Sequence, residues 1–140
     1  MIANRSVPSA TVIPELAYAD VLEASEWLSE AFGLELRLRI GSHRVQLQYG
    51  DGAVIAVELG DAAPAADRTH AILMRVEDAD AHHEQAVRGG AKILRPPADY
   101  PYGERQYTAE DVGGHVWTFS QSLADVDPAF WGGELVGSSR

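Results

Sequence analysis

The feature that most constrains this chain is an internal repeat of one order of elements. Residues 11–60 predict a strand, a helix and three further strands, and residues 68–121 predict the same order again. The segment Leu16-Ala-Tyr-Ala-Asp20 aligns with Met74-Arg-Val-Glu-Asp78 at an offset of about 60 residues, which is longer than the units of most solenoids. Each half would leave one sheet face exposed, so we expect the halves to pair and to leave a cleft between two curved sheets.

Local signals mark the ends of the elements. Asp20 and Asp78 are expected to cap the two helices at their N-termini, and Gly33 and Gly89-Gly90 are expected to end them. A loop rich in Pro and Tyr is predicted over 95–103. The remaining strands are predicted at 11–18, 34–40, 43–49, 53–59, 70–76 and 91–94.

The stretch from Tyr102 to Gln121 predicts a β-hairpin. Polar and apolar residues alternate on both sides of the turn Asp111-Val-Gly-Gly114, as expected for two short strands joined tightly. The tail, residues 122–140, contains Asp127-Pro128, which is typical of a helix start. Phe130 and Trp131 follow, and we expect them to be buried on this subunit or on a partner.

Composition restricts the class of protein. The chain of 140 residues is expected to be a single domain, residues 1–140, with a small-residue linker at 61–67. Its 11 basic and 21 acidic residues give a net charge of −10 without a basic cluster, which argues against nucleic-acid binding. The sequence contains no cysteine, so disulfides, thiolate metal sites and a cysteine nucleophile are excluded. No signal peptide or membrane span is predicted, and the expected location is the cytoplasm.

The hairpin and the loop before it carry the strongest binding signature. Tyr100, Tyr102, Arg105, Tyr107 and Trp117 supply aromatic contact area, polar tips and a guanidinium group. The alternative for Tyr107 and Trp117 is packing in the core or across strands, and for Trp117 the sequence favours packing.

Three quoted segments resemble the vicinal oxygen chelate superfamily, which includes glyoxalase I, extradiol dioxygenases and proteins of fosfomycin and bleomycin resistance. Two of them, "YADVLEASEWLSEAFGLE" and "HAILMRVEDADAHHEQAVRGGAKI", open the two repeated units. The closing segment, "YGERQYTAEDVGGHVWTFSQ", is similar to the glyoxalase/bleomycin-resistance-like branch in particular. The resemblance implies an α+β fold in which two βαβββ modules form a curved eight-stranded, cup-like sheet. It also implies a homodimer with sites inside the cups.

Metal-dependent members of this superfamily hold His or Glu ligands on the first, fourth, fifth and eighth strands. The resemblance places Ile13, Ala56, either His70 or Ala71, and Thr118 at these positions. At most one ligand is retained, whereas a divalent metal needs about three protein ligands even in an open catalytic site. We therefore expect no metal and no other cofactor.

A displaced metal centre would use Glu58, His70 and His115. Glu58 shares strand parity with Ala56, so we expect it to face the cup, paired with Arg75 or Arg105 or acting as a general base. For His70 the sequence leaves two equal alternatives: a local hydrogen bond at the entry of its strand, or a role in the pocket.

In the helix predicted after Asp78, His82 and His83 are neighbours that point in different directions, and the sequence favours a solvated helix face for both.

The resemblance, taken with these residues, implies a homodimer that binds a small organic molecule, with sequestration of a drug or metabolite as the leading role. The alternative is a lyase, isomerase or dioxygenase-type enzyme, either with displaced metal ligands or as a metal-free acid–base catalyst using Glu58, His70 or Tyr107. The residues expected to bind the ligand are Glu58, His70, Tyr100, Tyr102, Arg105, Tyr107, Trp117 and Thr118.

Overall fold

The structure, a computed structural model, describes residues 5–60 and 70–135. The linker predicted at 61–67 lies outside these residues. The first module contains β1 (Glu15–Tyr18), α1 (Val21–Phe32), β2 (Glu35–Ile40), β3 (Arg44–Tyr49) and β4 (Gly52–Glu58). The second contains β5 (Ile72–Arg75), α2 (Ala79–Arg88), β6 (Lys92–Tyr100), β7 (Glu104–Glu110) and β8 (Val116–Ser122), followed by a short 3-10 helix (Pro128–Trp131). None of the helices in the described ranges is long and apolar enough to span a membrane.

Each module forms its own mixed four-stranded sheet. The strand order is β1-β4-β3-β2 in the first sheet and β5-β8-β7-β6 in the second. In both, the first strand is parallel to its neighbour and the other pairs are antiparallel. The predicted α+β fold of two βαβββ modules is confirmed, with its eight strands divided equally between the two sheets.

The helix boundaries follow the local signals in the sequence. The Asp20 side chain accepts a hydrogen bond from the backbone N–H of Glu23 at 3.0 Å, and Asp78 does the same for Ala81 at 3.0 Å. These contacts satisfy N–H groups that have no partner within the helix. Gly33 ends α1 in the left-handed region, at φ 80°, where glycine is favoured.

The two modules share one core, built around α1 and α2. Phe32 at the end of α1 packs against Trp117 and Phe119 of β8, with ring centroids 5.3 and 4.8 Å apart. The helices approach so closely that a Cβ added to Gly89 would lie 2.5 Å from the Cβ of Ala31. The side chain of Trp27 donates a hydrogen bond to the Gly89 carbonyl at 2.7 Å. The modules are therefore joined through their helices.

Each sheet has an inner face, packed on this core, and an opposite face, here called the open face. Leu47, Val54 and Ala56 lie on the inner face of the first sheet, and Tyr107 and Trp117 lie on that of the second. Within the described ranges, α1 and α2 are the elements whose backbones approach each other across the modules, and no strand of one sheet runs beside a strand of the other. Residues of both modules, among them Val54, Ile72 and Met74, line a cavity of about 170 Å³ at this junction.

Two stretches differ from the sequence predictions. Strand β6 continues to Tyr100 through Pro96-Pro97, where a loop was expected, and its register shifts before and after Arg95. Because β6 is an edge strand, proline there removes no ladder hydrogen bond that the sheet needs. The predicted helix after Asp127 is a single 3-10 turn, and Phe130 on it is 81% exposed, so it is not buried on this subunit.

Candidate functional site

The open face of the second sheet carries a connected hydrogen-bond network. The Tyr102 hydroxyl donates to Gln106 Oε1 at 3.0 Å, and Gln106 Nε2 donates to Ser120 Oγ at 2.9 Å. Ser120 and Ser122 each donate to a different oxygen of Glu104, both at 2.5 Å. The groups on β7 and β8 meet because their positions are paired in register and share strand parity, and Tyr102 reaches Gln106 from the turn before β7. The face is therefore ordered and polar.

Arg75 on the edge strand β5 extends this network. Its guanidinium donates to Ser122 Oγ at 2.5 Å. Burial raises the pKa of Glu104, but the hydrogen bonds from Ser120 and Ser122 and the charge of Arg75 lower it by more, so the net pKa lies below its usual range. Glu104 is thus ionised at neutral pH.

Aromatic rings stand at one end of the same face. Tyr100 pairs with Glu104 across β6 and β7, and its ring stacks on Tyr102 with centroids 5.5 Å apart and planes 13° apart. Trp131 from the tail meets Tyr102 edge-on, with centroids 5.9 Å apart. Further along the face, Thr108 and Thr118 share a hydrogen bond of 2.9 Å. Hydroxyl, amide and carboxylate groups therefore lie beside a flat aromatic surface.

The open face of the first sheet is covered by the chain itself. Gln46 on β3 is 1% exposed; it accepts a hydrogen bond from Arg37 and donates one to the Ser6 carbonyl at 2.7 Å. Arg37 also donates to the Arg5 carbonyl at 3.1 Å. The N-terminal segment therefore lies over this face, whereas the second sheet keeps its face accessible.

Two of the predicted binding residues lie in the core. Tyr107 is 1% exposed and Trp117 is 0% exposed, both on the inner face. The Tyr107 hydroxyl bonds to Nδ1 of His82 at 2.5 Å, and burial raises the pKa of Tyr107 above its usual range. In this position, Tyr107 stays protonated and away from the open face.

His82 is the buried residue that sequence reasoning missed, since we expected a solvated helix face. It is 7% exposed, and its Nε2 bonds to the Phe32 carbonyl at 2.7 Å. That carbonyl can only accept, so Nε2 carries the proton and Nδ1 accepts from Tyr107. Burial lowers the pKa of His82, although the bond to Phe32 acts in the opposite direction. The helical spacing of His82 with Ala79 and Ala86, both in the core, is the signal that could have identified it.

Glu58 and Arg105 lie on the inner side of their strands. Glu58 shares the parity of Val54 and Ala56, as expected, and this side of β4 faces the helices and not the open face. Arg105 pairs with Asp80 of α2 at 3.0 Å and with Asp99 of β6 at 2.8 Å. It therefore ties a helix to an edge strand, and the predicted pairing with Glu58 is not formed.

His70 and His115 come together near the junction of the modules. Their Nε2 and Nδ1 atoms are 3.4 Å apart, and His115 Nε2 bonds to the Ala17 carbonyl at 2.9 Å. Within residues 5–60 and 70–135, no three His, Cys, Asp or Glu side chains are grouped closely enough to hold a metal ion, so Glu58 does not join this pair.

The open-face side chains do not fit the family's metal centre either. Alternation places Ala17 on β1, Ile55 on β4, Leu73 on β5 and Thr118 on β8 on these faces. None of these side chains offers the imidazole or carboxylate that such a centre uses. Glu15 on β1 shares the open-face parity of Ala17, but it pairs with Arg44 at 2.7 Å. Ala56, which the resemblance placed at a ligand position, is buried against the helices.

Asp111 in the hairpin turn joins the two modules. It is buried, and it accepts hydrogen bonds from the Tyr18 hydroxyl at 2.6 Å and from Trp117 Nε1 at 2.9 Å. It also accepts from the backbone N–H groups of Gly113 and His115, both at 2.9 Å. Burial, followed by the charge of Asp111 and its hydrogen bond, raises the pKa of Tyr18. The turn is therefore a structural tie between β1 and β8.

Paired βαβββ modules with an accessible sheet face define a protein of the vicinal oxygen chelate type. The chain belongs to the Glyoxalase/Bleomycin resistance protein/Dioxygenase superfamily, whose family profile matches residues 11–119. The search of curated proteins found no match to the sequence.

Solved structures agree with this assignment. TioX from Micromonospora sp. ML1 is 34% identical, with a TM-score of 0.70, over 82% of this chain and 100% of that chain. A glyoxalase/bleomycin resistance protein from Streptomyces sp. CB03234 is 23% identical, with a TM-score of 0.65, over 78% of this chain and 97% of that chain. TnmS3, an antibiotic binding protein from the same organism, is 21% identical, with a TM-score of 0.64, over 84% and 98%. At these last two identities the likeness shows the fold alone.

Proposed function

We propose that this protein binds a small organic molecule on the open face of the second sheet and sequesters it without a divalent metal centre. The observation that carries the proposal is the network from Tyr102 through Gln106 and Ser120 to Glu104, beside the stacked ring of Tyr100. Ligand pockets combine apolar contact area with a few fixed polar groups that orient the ligand. This face offers both on rigid strands.

Donor chemistry supports the metal-free part of the proposal. The faces where relatives hold ligands carry Ala17, Ile55, Leu73 and Thr118. Aliphatic and hydroxyl groups orient or exclude a ligand, but they do not supply the set of nitrogen and carboxylate donors that a tight divalent site needs. The open face of the second sheet instead offers hydrogen bonding and aromatic stacking for recognition of a ligand.

The description of TnmS3 as an antibiotic binding protein is consistent with sequestration. Because its identity to this chain is low, the proposal does not depend on it.

A second copy of the chain would complete the cavity. Within one chain the open faces of the two sheets turn away from the shared core, so a single copy covers the ligand from one side. Leu36, Leu38 and Ile40 on the edge strand β2 are all exposed, and an apolar edge of this kind favours association. A homodimer would bury these side chains and bring a second wall to the site.

The proposal is tested by isothermal titration calorimetry with two probes, quinizarin as a planar hydroxylated aromatic and bleomycin as a cationic glycopeptide. We expect saturable binding of at least one probe, and Gln106→Ala should weaken it about tenfold, the effect of losing one to two hydrogen bonds. Glu84→Ala, an exposed change on α2, is the matched control. Sedimentation velocity of the same samples should give twice the mass of one chain.

Two results would oppose the proposal. If Gln106→Ala and Glu84→Ala bind both probes as the unchanged protein does, the open face is not the site. If chromatography of the recovered probe shows chemical conversion, the enzyme alternative is favoured over sequestration.

A further inference from the structure

A pocket beneath the C-terminal segment lies next to the hydrogen-bond network. Tyr102, Glu104 and Ser122 belong to the network and also line the pocket. This tail pocket has a volume of about 400 Å³. The family match ends at residue 119, before the segment that covers it. It is lined by Tyr102, Glu104, Ser122, Leu123, Ala124, Asp125, Val126, Pro128 and Trp131.

The segment that forms the pocket is fixed to the sheet by its backbone. The N–H of Leu123 donates to the Gly103 carbonyl at 2.7 Å. Gly103 is in the left-handed region, at φ 84°, and a Cβ there would lie 2.1 Å from the carbonyl oxygen of Ala124. Only glycine allows this approach, because any side chain at this position would push the segment away.

The position of Trp131 is also determined by local contacts. Its Nε1 donates to the Val126 carbonyl at 3.3 Å, and a Cβ added to Gly133 would lie 2.7 Å from its ring. The ring meets Tyr102 at 69°. The pocket thus has two aromatic walls in a set geometry.

The charged side chains that line the pocket are acidic. Glu104 and Asp125 are among the lining residues, and no Lys, Arg or His is. Arg75 donates a hydrogen bond to Ser122 and offsets part of the Glu104 charge, but it does not itself line the pocket. Aromatic faces attract cations through their quadrupole, and carboxylates add to that attraction.

We propose that the tail pocket binds an organic cation, with a quaternary or protonated amine held against Trp131 and Tyr102 and facing Glu104. A bare metal ion is a poor fit, because both Glu104 oxygens already accept hydrogen bonds from serines and Asp125 is the one other carboxylate or imidazole among the lining residues. This deepens the proposed function, on which it rests only in taking the ligand to be a small organic molecule.

The experiment compares choline with its neutral isostere 3,3-dimethylbutan-1-ol. Binding is followed by NMR through the indole N–H signal of Trp131, assigned with Trp131→Phe. We expect choline to shift this signal saturably and the neutral alcohol to bind at least about threefold more weakly, since only the cation gains from the rings and carboxylates.

Variants locate the site. Trp131→Leu should weaken choline binding by about 2- to 5-fold, followed by the choline methyl signals, which corresponds to one cation–ring contact. Phe130→Leu is the matched control, since Phe130 is exposed and does not line the pocket. Gly103→Ala should abolish the response by displacing the segment. Equal binding of the two probes, or equal losses in Trp131→Leu and Phe130→Leu, would overturn the inference.

This outcome is independent of the test of the proposed function. Quinizarin carries no cation and is expected to respond to Gln106→Ala. If choline does not bind while quinizarin still does, the tail-pocket proposal is wrong and the open-face proposal stands. Choline binding without saturable binding of either quinizarin or bleomycin would contradict the open-face proposal and leave the tail pocket.

Discussion

At the scale of the residue, the buried polar side chains of Asp111 and His82 both bond to residues that are distant in the sequence. The sequence predicts Asp111 as a turn residue, because Asp before Gly-Gly is a local signal. Its bond to Tyr18, 93 positions away, depends on how the modules pack and has no local signal. His82 was expected in solvent for the same reason, since its partners Phe32 and Tyr107 are distant in sequence. Residue identity thus predicted local roles and missed long-range ones.

His82 leads to a prediction about pH. Burial lowers the pKa of His82 in the folded protein, whereas in the unfolded chain its pKa is about 6.5. As the pH falls through that value, the unfolded state binds a proton that the folded state does not, so the free energy of unfolding decreases. We expect this loss to be smaller in His82→Gln, by up to about 1.4 kcal/mol per pH unit, the limit for one proton.

Urea unfolding of the unchanged protein and the variant at about pH 7.5 and about pH 5.5 measures this difference. His83→Gln, the adjacent change on the same helix, should keep the pH dependence of the unchanged protein. An identical pH dependence in His82→Gln would show that His82 is not the group that titrates.

At the scale of the element, the helices were predictable and β6 was not. Helix ends depend on caps such as Asp20 and Gly33, which lie within one turn of the residues they serve. The path of β6 through Pro96-Pro97 depends on its position at the sheet edge, which only the completed topology determines.

The crossing of α1 and α2 gives a prediction at this scale. In Gly89→Ala the new Cβ would lie 2.5 Å from that of Ala31, so the helices must separate. We expect a loss of about 1–3 kcal/mol in the free energy of unfolding, as for other overpacked cores. Gly60→Ala, where nothing lies within 4 Å, is the matched control and should change stability little. If urea unfolding finds Gly89→Ala as stable as Gly60→Ala, the helices do not pack this closely.

At the scale of the whole molecule, the repeat in the sequence predicted the fold, because two copies of one order of elements allow few architectures. The orientation of the sheet faces was harder to predict. Alternation on β4 separates Val54 and Ala56 from Ile55, but it does not show which set faces the helices. Val54 and Ala56 proved to face the helices, so Glu58, which shares their parity, lies away from the open face. Tyr107 and Trp117 face the core from the second sheet.

The same orientation decides which predicted site residues can act together. Tyr100, Tyr102 and Thr118 share the open face of the second sheet. Gln106, Ser120 and Glu104, which extend the hydrogen-bond network from Tyr102, were not chosen from the sequence, since single polar residues on a strand resemble any solvated face. Their value as a group appears only when the register aligns them.

The central claim is that a small organic molecule is bound and kept unchanged without a metal. The most direct measurement is calorimetric titration of quinizarin into protein treated with a chelator, before and after zinc is restored, with chromatography of the ligand afterwards. The account predicts the same affinity in both samples, within about twofold, and unaltered quinizarin. Binding that appears only after zinc is restored, or a converted product, would contradict it.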